Sequence, residues 1–154
     1  MGGHTTASSA RVLVAGGAFR LPAGRLQQAF DGVSPLRGLL LRDALSLIAQ
    51  ITQFAACNRH HPIEQQFCRW LLCALDRLQS GELVMTHELV ANTLGVRRES
   101  ITEVAGRLQR AGVIRYRRGH ISVLDRPGLA ERTCECYAVV KKEYDRLLPD
   151  RVAQ

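Results

Sequence analysis

The stretch MTHELVANTLGVRRESITEVAGRLQRAGVIRYRRGHISVLD, residues 85–125, decides the fold of this 154-residue chain. Its first part predicts a short helix that the hydroxyl group of Thr86 caps, with Glu88 in the first turn, where the helix dipole favours a negative charge. The small residue Ala91 leaves room for a second helix to cross closely, and Gly95 tolerates the positive φ of a tight turn. The pattern therefore predicts two short helices that cross steeply.

The second of these helices is predicted to begin at Arg97 or Arg98 and to run to Ala111. The apolar residues that would pack the two helices together are Val90, Leu94, Val96, Ile101, Val104 and Leu108. The opposite face of the second helix carries Arg98, Glu99, Thr102 and Glu103. In the major groove of DNA, an arginine can bind guanine through two hydrogen bonds and a glutamate can accept one from cytosine. An ordinary solvated helix face is the alternative.

Two strands and a hairpin are predicted next, because Val113–Tyr116 and His120–Leu124 are β-prone runs joined by Arg117-Arg118-Gly119. A hairpin directly after two crossing helices is typical of a winged helix domain, and arginines at its tip suit contacts with phosphates or the minor groove. We expect Asp125–Gly128 to end the hairpin and a final helix to follow within residues 129–154.

A long helix is predicted upstream, because Ser34 offers a capping hydroxyl and Pro35 fits the first helical position. It should reach about Cys57. Its apolar residues recur every three or four positions, at Leu40, Ala44, Leu47, Ile51 and Phe54. A stripe this wide must be covered, and we expect the same helix of a second copy of the chain to cover it. Packing within its own domain is the alternative.

Shorter elements flank this long helix. A helix is predicted from His61-Pro62 to near Ser80-Gly81, followed by a strand at Leu83–Met85. Before the long helix, Val12–Val14 and Ala18–Leu21 predict two short strands. A lone pair of strands is marginally stable in water, so they indicate the end of a larger sheet whose start is missing.

Composition and charge favour a soluble, folded chain with a polyanionic partner. Hydrophobic residues make up 46% of the chain and charged residues 23%, which supports a packed core. The net charge is +7, and the segment 105–120 holds five arginines and no acidic residue. This basic patch indicates a nucleic acid partner. Because 19 of the 21 basic residues are arginine, the codon bias of a GC-rich genome is the alternative explanation.

The cysteines are five in number, at positions 57, 68, 73, 134 and 136. The odd number, the lack of CxxC spacing and the lack of a convincing signal peptide favour a reducing cytoplasm over a disulfide framework. Cys57 beside His60 and His61 could form part of a metal site. However, Cys134 and Cys136 are two apart on the predicted last helix and should point to different faces. We therefore expect incidental thiols, with no metal and no cofactor.

Enzymatic activity is not expected from this sequence. We find no nucleophile–base pair, no paired carboxylates and no phosphate-binding loop at a meaningful spacing, and so no candidate catalytic residue. Gly16-Gly17 lacks the strand–glycine–helix context that dinucleotide binding requires.

The segment 85–125 resembles the Crp/Fnr family of bacterial transcription regulators, and the resemblance extends over roughly residues 11–137. Members carry an effector β-barrel, a long dimerisation helix and a winged helix-turn-helix. The resemblance implies a mainly α fold with a small β part (α+β). It divides the chain into a barrel remnant at 1–33, the dimerisation helix at 34–57, the winged domain at 58–128 and a C-terminal helix at 129–154. Most of the barrel is missing, so effector binding is not expected.

The resemblance also implies a function, a sequence-specific regulator that binds double-stranded DNA as a homodimer in the cytoplasm, with RNA polymerase as a further partner. The DNA-binding residues that it and the pattern indicate are Thr86, Arg97, Arg98, Glu99, Thr102, Glu103, Arg107, Arg117, Arg118 and His120. Glu99 matches the usual glutamate of the family, whereas Glu103 stands where well-known members have arginine, so their operator sequence cannot be borrowed. The alternative is a truncated interaction module that pairs with full-length relatives without productive DNA binding.

Overall fold

The computed structural model describes residues 12, 16–32, 35–78 and 82–149. Within these ranges the helices are α1 (Ala23–Asp31), α2 (Pro35–His60), α3 (Ile63–Leu75), α4 (His87–Leu94), α5 (Arg98–Arg110), α6 (Arg126–Glu131) and α7 (Cys136–Leu147). The strands are β1 (Glu82–Val84), β2 (Ile114–Arg117) and β3 (His120–Val123). The fold is therefore mainly α with a small β part, as predicted. None of the helices in these ranges combines the length and apolar character that a membrane span needs.

The two crossing helices form as the sequence predicts. The Thr86 hydroxyl oxygen accepts a hydrogen bond from the backbone N–H of Leu89, at 3.2 Å, and so caps α4. Gly95 ends α4 in the left-handed conformation, with φ at 69°. Helix α5 then begins at Arg98, and Gly112 follows it with φ at 73°. Both turns use glycine where a positive φ is required.

The main apolar core of the described residues lies beneath α3, α4, α5 and the sheet. Its innermost side chains are Phe67, Leu71, Leu72, Val90, Ile101, Leu108, Val113, Ile114, Ile121 and Leu129, each at most 1% exposed. Burial of this many large aliphatic and aromatic groups supplies most of the folding free energy of a domain of this size. The core thus fixes α5 against the rest of the domain.

The sheet has the strand order β1-β3-β2, with both pairs antiparallel. Ile121 in the central strand lies opposite Leu83 on one side and Tyr116 on the other. Strands β2 and β3 are joined by Arg118 and Gly119, which both have positive φ, at 49° and 81°. Two-residue hairpin turns of type I′ require this conformation at both positions. We call β2, this turn and β3 the wing.

Helix α2 is longer than predicted and packs against both α3 and α7. One of its contacts with α3 is a buried cation. Arg69, which is 1% exposed, holds its guanidinium carbon 3.6 Å from the centre of the Phe54 ring. Its Nη2 donates a hydrogen bond to Asn58 Oδ1 at 3.1 Å. The aromatic face and the amide oxygen stabilise a charge that burial would otherwise penalise.

Two predictions for the N-terminal half are corrected. Ala18–Leu21 is irregular rather than a strand, because no described strand lies beside it to accept or donate backbone hydrogen bonds. Helix α3 ends at Leu75, before the predicted end at Ser80-Gly81. Leu13, Val14, Ser34 and Ser80-Gly81 lie outside the described residues.

The predicted final helix is instead two helices. Asp125 Oδ1 accepts a hydrogen bond from the backbone N–H of Gly128 at 2.9 Å, and Pro127 lies in the first turn of α6. The segment predicted only to end the hairpin therefore also starts a helix. Residues 132–135 separate α6 from α7, so Cys134 precedes the helix that begins with Cys136. The prediction that these two thiols point to different faces is wrong.

The wing turn generates a prediction about stability. Arg118 is a non-glycine residue in the left-handed region, which costs about 1–2 kcal/mol for most side chains. Asparagine adopts this conformation more readily, and Asn-Gly is the preferred type I′ pair. We expect Arg118→Asn to raise the free energy of unfolding by about 1 kcal/mol in urea denaturation. Arg117→Asn, which removes the same charge from a β2 residue, should give no gain. A destabilised Arg118→Asn variant would contradict the turn assignment.

Candidate nucleic-acid interface

The side chains predicted to contact DNA come from three neighbouring elements, and all ten residues are exposed. Thr86 precedes α4, Arg97 precedes α5, and the wing supplies Arg117, Arg118 and His120. Helix α5 carries Arg98, Glu99, Thr102 and Glu103 in its first half and Arg107 in its last turn. The exposed face of α5 is the one opposite Ile101, Val104 and Leu108, whose burial is confirmed.

A histidine that the sequence did not single out joins these three elements. His87, in the first turn of α4, places Nδ1 2.9 Å from the hydroxyl oxygen of Thr102 on α5. Its ring stacks on Tyr116 of β2, with the centroids 3.9 Å apart. The backbone N–H of Met85 also donates to the carbonyl of Gly119, so the wing turn lies beside the start of α4. These contacts depend on the docking of the wing, which local spacing does not reveal.

The wing is further attached to α5 by a polar contact. The backbone N–H of Tyr116 donates a hydrogen bond to Gln109 Oε1 at 2.7 Å. The carbonyl of Val113 accepts hydrogen bonds from the N–H groups of Leu124 and Asp125, which closes the base of the hairpin. The arginines of the wing are therefore held at a fixed position relative to α5.

Among the predicted contact residues, Arg107 is already paired. Its Nε lies 2.9 Å from Glu64 Oε2 of α3, and its Nη1 lies 2.6 Å from Glu103 Oε1. Hydrogen bonding to Glu64 and the charge of both carboxylates raise the pKa of Arg107. The pairing also holds the Glu103 carboxylate toward Arg107. Arg98 and Glu99 are the exposed charges in the first turn of α5, directly after the exposed N-cap residue Arg97.

Three of the five cysteines lie together in the fold, although Cys57 is far in sequence from Cys134 and Cys136. Cys57, Cys134 and Cys136 are buried beside His61, at the contact of α2 with the start of α7. These four side chains are the described group that could hold a metal ion. They belong to a different part of the molecule from the α4–α5–wing surface.

Comparison with known proteins relates part of the chain to a known family. Residues 65–132 match the family described as "Crp-like helix-turn-helix domain". The match runs from α3 to the end of α6 and so includes α4, α5 and the wing. It confirms the family resemblance over this segment, and this family consists of DNA-binding regulators rather than enzymes. No curated protein matches the chain.

His87 gives a prediction about pH. Burial of the imidazole, together with the nearby positive charge of Arg98, lowers the pKa of His87 below its usual 6.5. Below pH 6.5 the unfolded chain therefore takes up a proton at this position that the folded chain resists, and stability falls. We expect His87→Gln to lose less unfolding free energy than the wild type between pH 7.5 and 5.5 in urea titrations. Equal losses would contradict the lowered pKa, because the other titrating groups are common to both proteins.

Proposed function

Residues 65–132 form a Crp-like helix-turn-helix domain, the DNA-binding part of a family of transcription regulators, and from this premise we propose that the chain is a sequence-specific regulator that binds DNA as a homodimer. The observation that carries the proposal is that α5 has one buried face and one exposed face. Ile101, Val104 and Leu108 are buried, and Arg98 and Glu99 are exposed. A helix presented in this way fits the major groove.

In this proposal the start of α5 reads bases. Arg98 binds a guanine through two hydrogen bonds, and Glu99 accepts one from the amino group of a cytosine. Thr102 supports this geometry from within the protein, since its hydroxyl donates to the carbonyl of Arg98 at 3.1 Å and contacts His87. The carboxylate of Glu103, paired with Arg107, contributes no donor to guanine.

The wing supplies affinity rather than sequence preference. Arg117, Arg118 and His120 are exposed at its tip, and Arg115 is exposed on β2. Arginines on phosphates release counterions, so we expect binding to weaken steeply as salt rises. The local absence of acidic residues in segment 105–120 favours this role.

Helix α2 is the proposed dimer interface. Leu47 and Ile51 are 52% and 59% exposed, although both belong to the apolar stripe. Leu40 is half-buried, Ala44 is exposed, and Phe54 is half-buried against Arg69. A cavity of about 610 Å³ opens beside Ile51 and Phe54. Exposed apolar area of this kind supports a second α2 as its cover.

An interaction module that pairs with full-length relatives is the second candidate, favoured by the same exposed face of α2. It predicts a partner helix but no productive binding to duplex DNA, even at low salt. The family resemblance adds RNA polymerase as a partner and a cytoplasmic location to the regulator proposal.

Selection of genomic DNA fragments by the purified chain distinguishes the two candidates, because only the regulator enriches a two-fold symmetric motif with half-sites about 10 bp apart.

The contrast between Arg98 and Arg117 tests the assignment of base and phosphate contacts. On the selected motif we expect Arg98→Ala to cost about 1–3 kcal/mol and to relax the preference at one base position. Arg117→Ala should weaken binding to every sequence alike and reduce the slope of log affinity against log salt by about 1. Fluorescence anisotropy on matched and single-mismatch duplexes measures both effects. A uniform loss for Arg98→Ala, or a changed base preference for Arg117→Ala, would reverse the assignments.

The dimer interface has its own test. We expect Ile51→Glu to convert the dimer into monomers in light scattering, because a carboxylate cannot be buried between two apolar helices without a large cost. Ile51 is exposed in the single chain, so the variant should still fold, which circular dichroism checks. Thr52→Glu places the same charge one residue away on α2 and should leave the dimer mass unchanged. An unchanged mass for Ile51→Glu would exclude this face as the interface.

A further inference from the structure

Four side chains with metal-binding atoms converge where the C-terminal end of α2 meets the start of α7. They are Cys57, His61, Cys134 and Cys136, and their ligating atoms all lie within 4.8 Å of one another. The Sγ atoms of Cys57 and Cys134 are 3.5 Å apart. The Sγ atom of Cys136 lies 3.7 Å from His61 Nδ1. We call this set the Cys₃His cluster.

The backbone explains how residues so distant in sequence meet. Cys57 lies in the last turns of α2, and the N–H of His61 donates to the carbonyl of Cys57 at 2.9 Å, so the two side chains share one helix face. Cys134 lies in the break between α6 and α7, whereas Cys136 begins α7. This break lets two thiols at positions i and i+2 face the same way.

The spacing of the ligating atoms fits one tetrahedral metal ion. With Zn–S bonds near 2.3 Å and a Zn–N bond near 2.0 Å, neighbouring ligand atoms around zinc are about 3.5–3.8 Å apart. The two contacts of 3.5 and 3.7 Å have this size, and no pair of ligating atoms is more than 4.8 Å apart.

The surroundings of the cluster are those of a structural metal site. Cys57, Cys134 and Cys136 are 0%, 5% and 1% exposed, so the thiols are shielded from solvent. His61 presents Nδ1 to the cluster, and its other ring nitrogen, Nε2, lies 3.3 Å from Glu135 Oε1. A carboxylate at the second nitrogen is the usual way in which proteins orient a metal-binding histidine.

A second polar contact supports the thiolate form of one ligand. Gln53 Nε2, one turn before Cys57 on α2, lies 3.1 Å from Cys136 Sγ and donates a hydrogen bond to it. An amide N–H directed at a sulfur atom stabilises negative charge there. Donors of this kind are typical second contacts of metal-bound cysteine.

We propose that the Cys₃His cluster binds one structural Zn²⁺ ion through three thiolates and the Nδ1 of His61. The three thiols release their protons to water as the Zn–S bonds form. Four protein ligands fill a tetrahedron and leave no open position, which is the arrangement of structural rather than catalytic zinc. The proposal replaces the expectation from sequence that these thiols are incidental, and it is independent of DNA binding.

Two other thiol chemistries fit the cluster less well. A Cys57–Cys134 disulfide would leave Cys136 and His61 without a role, although both are oriented toward the same point by Gln53 and Glu135. An iron–sulfur cluster holds its cysteines on different iron atoms and therefore needs wider spacing than one shared ion.

Metal content of the purified chain is the first measurement. The 154-residue chain is purified without an affinity tag, kept reduced and supplied with Zn²⁺. It should retain one zinc ion per chain through gel filtration, as measured by elemental mass spectrometry. Cys134→Ser should retain less than a tenth of this. Cys73→Ser is the matched control, because Cys73 is half-buried outside the cluster, and it should retain the full ion. Iron and sulfide in place of zinc would overturn the proposal.

Titration with Co²⁺ keeps the proposal testable if Cys134→Ser does not fold. The wild type, freed of metal by a chelator, should develop the absorption of tetrahedral thiolate-bound cobalt at one equivalent and lose it to Zn²⁺. Glu135→Ala should bind about 10–100-fold more weakly, as expected for loss of the group that orients a ligating histidine. Glu135 is 72% exposed at its side chain, so this variant leaves the core intact. A wild-type chain with neither bound zinc nor a cobalt spectrum, or with a Cys57–Cys134 disulfide that after reduction still binds no metal, would overturn the proposal.

Discussion

The burial of one stripe of α5 is the constraint on which the rest of the domain depends. Ile101, Val104 and Leu108 recur at three- and four-residue spacing and are at most 2% exposed, so the helix has one rotation about its axis that satisfies the core. A rotation by one residue in either direction would expose an isoleucine, at a cost of about 1.5–3 kcal/mol. In one of the two directions it would also turn Glu103 and Arg107 toward the core. The outward direction of Arg98 and Glu99 is therefore a consequence of packing. The chemistry of the surface follows from the hydrophobic pattern beneath it.

Polar contacts determine the position of the wing, which packing of the core alone does not fix. Burial of Ile114 and Ile121 attaches the hairpin to the domain, but it does not fix where the turn points. The hydrogen bond from Tyr116 to Gln109 and the stacking of Tyr116 on His87 do so, since they reach α5 and α4 from one strand. Such contacts are worth about 1 kcal/mol each, yet they select one arrangement among several with similar apolar burial.

What could be predicted from the sequence was local or periodic. The Thr86 cap, the left-handed Gly95 and the stripe of α5 each depend on residues within a few positions of one another, and all three are present. The helix start at Asp125 was missed although its signal was local, because the same residues also end a hairpin. The Cys₃His cluster could not be found in this way. It joins residues 77 apart in sequence, and its geometry depends on a break between α6 and α7 that no periodicity marks.

Helix α2 takes part in both the proposed dimer and the proposed zinc site, through different parts of its length. Its exposed apolar face would join two chains, whereas its C-terminal half contacts Arg69 of α3 through Phe54 and brings Cys57 to the Cys₃His cluster at the start of α7. A dimer that binds half-sites about 34 Å apart must hold its two α5 helices at that spacing, so the junction between α2 and the domain cannot bend freely. Apolar packing alone permits small rotations of one helix on another. A metal ion bound by α2, the α6–α7 break and α7 would remove them, since it fixes both bond lengths and directions. The C-terminal end of α2 is thus where rigidity matters most, and it is where the Cys₃His cluster lies.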